Sequence, residues 1–237
     1  MSARRRAPGR AAILGDRRPV AVVAGVAALL LVVVAAVLLV RAGEDESTTP
    51  RSGQPTAKPS LSTTSLAAYD TTDVVVARAD FCPAISQEQA ELALGEEVAE
   101  AESYANGDRA EVAPGVTDVA HEYACTWRGT AHSIARGWVF APPVTPERAR
   151  ELADAAAAPR GCRTIRDAPA FGSVSTGVLC RTGPVKRVVF QGLFGDAWLS
   201  CALTRPRSTS GAEVEAAAGQ WCVAVARAAS SGPLDAG

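Results

Sequence analysis

Histidine and closely spaced cysteines are scarce in this sequence of 237 residues. The only histidines are His121 and His132, and no two cysteines are separated by just two residues. Because these residue types supply most structural zinc sites, a site of that kind is not expected. The zinc-protease motif H-E-x-x-H is also missing, since His121-Glu122 is followed by Cys125 where a second histidine is needed. We therefore predict no metal ligand and no cofactor.

Motifs of nucleotide-binding and acyl-transfer sites are missing too. Lysine occurs only at Lys58 and Lys186, and neither follows a glycine as a phosphate-binding loop requires. Residues 172–177 contain serines between glycines, but their spacing differs from that of the G-x-S-x-G nucleophile turn. We assign no catalytic residue. A site built from ordinary Asp, Glu or Ser residues stays open as an alternative, because no motif would reveal it.

Charge is missing from one long stretch, residues 20–40, which consist almost entirely of Val, Ala and Leu. At 1.5 Å per residue a helix of this length extends about 31 Å, enough to cross a hydrocarbon core of about 30 Å. A cleaved signal peptide has a shorter apolar run and is the alternative. We predict a transmembrane helix at 20–40 that lies in the lipid bilayer.

Basic and acidic residues are divided between the two sides of this stretch. Residues 1–41 carry seven arginines and one acid, whereas residues 42–237 carry seventeen basic and twenty-four acidic residues. Positive residues beside a span stay in the cytoplasm, so residues 1–19 are predicted to be cytoplasmic. The chain is then a single-pass protein of the cell membrane with its C-terminal domain outside. The acidic C-terminal part argues against a nucleic-acid partner.

Cysteine is missing from the first 81 residues, and all six cysteines follow. An even number in an exported domain predicts disulfides, although spacing alone does not choose among the fifteen possible pairings. The predicted disulfide residues are Cys82, Cys125, Cys162, Cys180, Cys201 and Cys222.

Composition divides the part beyond the span into a linker and one domain. Residues 41–78 are rich in Ser, Thr and Pro and poor in apolar residues, which predicts a disordered linker. Residues 79–230 are long enough for one extracytoplasmic domain with its own core. Residues 231–237 are predicted to be a disordered tail.

Cap and turn signals predict the order of elements in this domain. Three helices are expected where capping residues precede helix-forming segments: at Ser86 with Gln89, at Thr145-Pro146, and at Ser210 with Glu213. Alternating segments predict a hairpin over 121–140 and three later strands, at about 173–181, 186–194 and 197–204. A smaller hairpin over 98–113, turning at Asn106-Gly107, is a further expectation. The order α-ββ-α-βββ-α predicts an α+β fold, an antiparallel sheet of about five strands with helices packed against it.

This assignment favours one set of disulfides. Cys222 shares a helix stripe with Val214 and Trp221, so its side chain is expected to face the sheet and reach Cys201. The other favoured pairs are Cys82 with Cys125 and Cys162 with Cys180.

The 121–140 hairpin supplies the candidate binding residues. A two-residue turn at Gly129-Thr130 would place Cys125 opposite Ile134, Tyr123 opposite Arg136, and His121 opposite Trp138. Aromatic and arginine side chains on one face are typical of binding surfaces, although core aromatics with polar tips are the alternative. The candidates are Tyr123, Arg136, Trp138 and His121.

Short motifs in this chain resemble a family of actinobacterial cell-envelope domains. They are Asp80-Phe81-Cys82 before residues 86–89, then Cys125-Thr126-Trp127, then the paired late cysteines. Many members are lipoproteins and most have no assigned function. The resemblance covers roughly residues 78–229 and implies an exported α+β domain of Mog1/PsbP-like fold, with no catalytic residues to carry over. This chain differs in having a membrane span where those members have a lipidated cysteine.

The sequence therefore predicts a membrane-anchored extracytoplasmic domain without catalytic activity that binds an envelope ligand or an envelope protein. A cell-wall-directed hydrolase or transferase with an Asp, Glu or Ser site is the alternative. A cleft containing a carboxyl group of raised pKa would favour that alternative.

Overall fold

The computed structural model describes residues 61–113 and 115–230. The predicted span at 20–40, the segment 1–19 and the tail 231–237 lie outside these residues. Among the described helices, none is both long enough and apolar enough to cross a membrane.

Three α-helices and nine strands are present in the described part of the chain, together with two short 3-10 helices at Leu66–Ala68 and Cys82–Ala84. The helices are α1 (Gln87–Leu94), α2 (Pro146–Ala156) and α3 (Gly211–Ser230). The strands are β1 (Val98–Tyr104), β2 (Arg109–Ala113), β3 (Val116–Val119), β4 (Glu122–Gly129), β5 (Ile134–Phe140), β6 (Cys162–Thr164), β7 (Ser175–Thr182), β8 (Val185–Phe194) and β9 (Ala197–Pro206).

The predicted caps begin and end these helices. The hydroxyl groups of Ser86, Thr145 and Ser210 each accept a hydrogen bond from the backbone N–H three residues later. Helix α1 ends at Gly95, whose φ of 68° lies in the left-handed region that glycine adopts easily. The guanidinium group of Arg205 also donates to the Ala93 carbonyl, so a cation caps the C-terminus of α1.

Seven strands form one antiparallel sheet in the order β1-β4-β5-β9-β8-β7-β6, and β2 pairs only with β3. The α+β class and the antiparallel sheet are confirmed, but the sheet is larger than the five strands expected. The prediction that residues 98–113 form a hairpin was wrong. The chain does turn at residues 105–108, but β1 then pairs with β4 and β2 with β3.

The expected register of the β4–β5 hairpin was also wrong. Cys125 lies opposite Gly137 instead of Ile134, a difference of three residues. The connection is longer than two residues, and Glu96 stabilises it by accepting hydrogen bonds from the backbone N–H groups of Ala131 and Ser133. An odd shift moves every side chain of one strand to the other face relative to its partner. The faces proposed from the sequence are therefore reassigned.

One face of the sheet carries the core. Helix α3 packs against this face, and its Trp221 indole N–H donates to the carbonyl of Arg136 at 3.0 Å. The rings of Trp221 and Trp127 meet edge to face, with centroids 5.3 Å apart. Gly137 allows this close approach, because a Cβ atom there would lie 3.0 Å from a methyl carbon of Val225.

The three disulfides are the pairs that the element assignment favoured. Cys82 is bonded to Cys125, Cys162 to Cys180, and Cys201 to Cys222. The last pair joins β9 to α3 inside the core, and both residues are fully buried. The pair at β6–β7 lies across two neighbouring strands at the edge of the sheet.

Residues 61–78 belong to the folded domain, which corrects the linker boundary predicted at residue 78. Ser62, Leu66 and Val76 are all at least 95% buried. The backbone of Ser62 donates to and accepts from the side-chain amide of Gln89 in α1. Composition did not reveal this packing, because the segment inserts only a few apolar side chains into the core and is otherwise polar.

Candidate functional site

The second face of the sheet is only partly covered. Helix α2 packs over one end, where Val144, Ala149, Leu193 and Trp198 form a small separate core. The remainder, which we call the open face, presents outward-pointing side chains of β4, β5, β9 and β8. It includes Thr126, Arg136, Trp138, Thr204 and Arg187.

Two adjoining cavities lie on the open face and together form what we call the groove. The larger, about 540 Å³, is lined by aliphatic side chains and by Trp138, Arg160, Arg187 and Gln191. The smaller, about 220 Å³, extends towards β1 and the β2–β3 ribbon. Ile134, Arg187 and Thr204 line both cavities, so the two are direct neighbours.

Three polar side chains meet beside the smaller cavity. One guanidinium nitrogen of Arg136, Nη2, lies 2.6 Å from the Tyr104 hydroxyl and 2.9 Å from Oε1 of Glu122. The Tyr104 hydroxyl in turn donates to the same Glu122 oxygen. The strand register makes this possible because Tyr104 lies opposite Ala124, whose small side chain leaves room for the three groups to meet.

Tyr104 is held in its neutral form. Burial, followed by its hydrogen bond to the Glu122 carboxylate, raises the pKa of Tyr104 to about 12. Glu122 and Arg136 form the ion pair of this cluster, with side chains 15% and 24% exposed. The cluster therefore fixes the orientation of Arg136 and neutralises its charge.

Arg187 differs from Arg136 in having no such partner. It points from β8 onto the open face, where its backbone lies opposite Thr204 of β9. Among the described residues, nothing forms an ion pair or a hydrogen bond with its guanidinium group. Burial in the groove, and then the like charge of Arg136, lower the pKa of Arg187. Arg187 as a whole is nevertheless exposed to solvent.

The groove contains two of the four binding candidates named from the sequence. Arg136 and Trp138 lie side by side, with the guanidinium carbon 4.9 Å from the ring centroid. Tyr123 lies on the opposite face, packed against the core, because of the corrected register. His121 precedes β4 and is exposed outside both cavities.

Sequence reasoning missed Arg187, Tyr104 and Glu122. A signal for Arg187 was present, because Val188 was correctly placed opposite Leu203 on the helix-covered face. Its neighbour Arg187 must then point to the other face. Tyr104 gave no comparable signal, since its strand pairs with β4 and the expected partner was the next segment along the chain.

Two features bear on catalysis: shifted carboxyl pKa values and clusters of metal-binding side chains. Where the pKa of a carboxyl group is shifted, at Asp70, Glu96 and Glu147, it is lowered. No cluster of three or more His, Cys, Asp or Glu side chains suited to a metal ion occurs within residues 61–113 and 115–230.

Comparison with known proteins adds no functional assignment. No protein-family model matches the chain, and no curated protein matches it.

Proposed function

We propose that this chain is a membrane-anchored extracytoplasmic binding domain whose groove takes up an envelope ligand. The observation that carries the proposal is the groove itself, whose wall includes Trp138 and the guanidinium group of Arg187, which has no ion-pair or hydrogen-bond partner among the described residues. Its larger cavity falls within the range of about 300–1,000 Å³ that is usual for small-molecule sites. This concave surface, with both polar and apolar side chains, suits a small ligand better than it suits the flat surface of a protein partner.

The disulfides support the extracytoplasmic part of the proposal. All six cysteines are paired, and none of the described cysteines is free. Such bonds persist in oxidising compartments and are rare in the cytosol. The apolar residues 20–40 and the arginines before them supply the anchor and its orientation.

The resemblance to actinobacterial envelope domains is compatible with this proposal and remains a prediction. The proposal contains no catalytic step. The alternative of a hydrolase with a carboxyl general acid would be favoured by a raised carboxyl pKa, and the shifted carboxyl groups of the described residues have lowered values.

Photo-crosslinking in cells tests whether the groove is occupied. A benzoylphenylalanine residue would replace Thr182 at the rim of the groove, and in a matched control it would replace Ala212, which is exposed on α3. We expect the Thr182 position to give a defined small-molecule adduct by mass spectrometry and the Ala212 position to give none. The same adducts at both positions would contradict a binding site in the groove. A protein adduct formed only from the Thr182 position would mean that the groove binds a protein partner instead of a small ligand.

Reporter fusions test the topology separately. Alkaline phosphatase fused after Gly237 should be active in cells, whereas an ordinary green fluorescent protein fused at the same position should not fluoresce. The reverse pattern would place the domain in the cytoplasm and overturn the proposed location.

A further inference from the structure

The charged side chains that line the larger cavity all carry the same sign. Arg160 and Arg187 belong to its wall, and no carboxylate does among the described lining residues. Neither arginine forms an ion pair or hydrogen bond within residues 61–113 and 115–230. In a domain whose net charge is negative, this cavity therefore has a locally positive surface.

A negative ligand would relieve an unfavourable arrangement at Arg187. Although the residue is exposed, its guanidinium group is affected by some desolvation in the groove and by the like charge of Arg136, whose own charge is already matched by Glu122. A bound oxyanion would compensate both effects, and the planar guanidinium group matches phosphate and carboxylate oxygens in a two-pronged geometry.

Unsatisfied polar atoms occur on the same face. Three buried side-chain polar atoms of the described residues have no hydrogen-bond partner, and two of them, Arg136 Nε and Ser200 Oγ, lie on the open face. The backbone of Ser200 lies between those of Trp138 and Gln191, which both line the larger cavity. Buried polar atoms without partners are rare. Ser200 lines neither cavity and its hydroxyl has no accessible surface, so these atoms make the wall behind the groove polar without contacting a ligand directly.

Apolar side chains form the rest of the wall and define the other part of the ligand. Ile134, Val178, Val185 and Val189 surround the cavity, and the half-buried ring of Trp138 lies at its β5 side. Such a wall favours an aromatic or aliphatic body.

The smaller cavity gives the ligand a direction. Its wall includes Glu102 and Glu111, which are absent from the larger cavity. Glu102 is paired with Arg128 of the same wall, and Arg136 is paired with Glu122, so Arg187 is the arginine of this wall that has no ion-pair partner among the described residues. The negative group is therefore placed next to Arg187, which also lines the larger cavity.

On the basis of the proposed function, we infer that the groove binds an amphiphilic oxyanion. Its phosphate or carboxylate group is bound by Arg187, with Arg160 at the rim, and its apolar body packs against Trp138. Such a group can belong to a lipid headgroup or to a soluble metabolite, and the chemistry of recognition is the same for both.

Calorimetric titration of the full chain, reconstituted in nanodiscs, tests this inference with benzyl phosphate and its neutral counterpart benzyl alcohol. We expect benzyl phosphate to bind at least about tenfold more tightly, because it adds charge-assisted hydrogen bonds. Dihexanoyl phosphatidic acid is the third probe. Tighter binding of this probe than of benzyl phosphate assigns the anion to a lipid headgroup, and the opposite order assigns it to a soluble metabolite.

Substitutions of single arginines test where the anionic group binds. Arg187→Gln should remove the preference for benzyl phosphate, and Arg187→Lys should restore it in part because the charge returns without the fork geometry. The matched control is Arg163→Gln, an exposed arginine of β6 outside both cavities, which should bind like the wild type. Thermal unfolding of each variant verifies that it is folded.

Two other results would overturn the inference, and they differ in what they say of the proposed function. Equal binding of both benzyl probes to wild type and Arg187→Gln, with loss of both in Trp138→Ala, keeps the groove as a binding site and rejects the oxyanion. No binding of any probe to the wild type at millimolar concentration rejects both.

Discussion

At the scale of single residues, two arginines on neighbouring parts of one sheet face serve different purposes. Arg136 is neutralised by Glu122 and oriented by Tyr104, whereas Arg187 has no such partners within the described residues. The difference arises from strand order: Glu122 is on β4, next to β5, and Tyr104 is on β1, next to β4, whereas both strands lie three or more positions from β8. Because no group of the described residues pairs with Arg187, its guanidinium group is available to bind a ligand.

Titration of tyrosine absorbance tests the Arg136 cluster. Tyr104 should give a late absorbance step, near pH 12, because burial and the Glu122 carboxylate raise its pKa. A pKa that is higher in the folded than in the unfolded chain stabilises the fold below about pH 10, and this contribution is lost as the pH rises through 12. Tyr104→Phe should remove this late absorbance step.

The control for this titration is Tyr123→Phe, which lies on the opposite face and should leave the late step in place. A wild-type titration without any step near pH 12, or one that survives in Tyr104→Phe, would contradict the described cluster.

Sequence patterns identified some of the groove residues and missed others for a definite reason. Alternation in β5 correctly placed Arg136 and Trp138 on one face, because that is a property of a single strand. Tyr123 was grouped with them through a register that depended on turn length. The longer turn is stabilised by Glu96, a residue more than thirty positions away in the chain.

At the scale of elements, the β4–β5 connection is a turn that a distant side chain stabilises. The carboxylate of Glu96, just after α1, accepts hydrogen bonds from the Ala131 and Ser133 backbone and from the Thr130 hydroxyl. It thereby fixes the register on which the shape of the groove depends. Local turn statistics do not contain this information.

Replacing this carboxylate should destabilise the fold in a pH-dependent way. Burial alone would raise the pKa of Glu96, but hydrogen bonds from Ser133, Ala131 and Thr130 exceed that effect and lower it. A lowered pKa contributes stability above about pH 4.5 that is lost as the pH falls through the folded value. Glu96→Gln should reduce the free energy of unfolding at pH 7 and flatten its decline below pH 5.

Urea unfolding at a series of pH values measures this effect, with Glu97→Gln as the matched control because Glu97 is exposed. Identical pH profiles for the wild type and Glu96→Gln would show that the Glu96 hydrogen bonds do not stabilise the turn.

Elements with local signals were predicted well, and those that depend on distant partners were not. The caps of all three helices and the pairing of Phe190 with Cys201 follow from sequence patterns of neighbouring residues. The edge strands β1 and β6 are short or mostly exposed, so hydrophobic alternation does not mark them. The insertion of residues 61–78 similarly depends on Gln89, whose side chain was expected to complete a helix cap.

At the scale of the whole molecule, the disulfides connect the sheet to its helical layer and close its edge. Cys201–Cys222 and Cys162–Cys180 span similar stretches of chain, with sequence separations of 21 and 18. Their effects on the unfolded chain should therefore be similar, about 3 kcal/mol each in the chain-entropy account. Their surroundings in the folded protein differ, because only the first pair is fully buried.

Removing each pair by double alanine substitution separates these effects. We expect loss of Cys201–Cys222 to lower the free energy of unfolding by about 2 kcal/mol more than loss of Cys162–Cys180, because the buried pair also leaves a cavity. Chemical denaturation of the two double variants measures the difference. Equal losses would mean that core packing around the buried pair contributes nothing.

At this scale, the sequence predicted the fold class and the disulfide-bonded character of the C-terminal part. The acidic, cysteine-containing C-terminal part folds as the α+β domain expected of it. The groove could not be foreseen in the same way, because it forms where α2, the open face and the β2–β3 ribbon leave space between them. Such space is a property of tertiary packing.

The most direct measurement is a crystal structure of the chain with benzyl phosphate. The account predicts a phosphate group within hydrogen-bond distance of the Arg187 guanidinium and a ring packed against Trp138. Clear density for the probe at another site, with the groove unoccupied at saturating concentration, would contradict it.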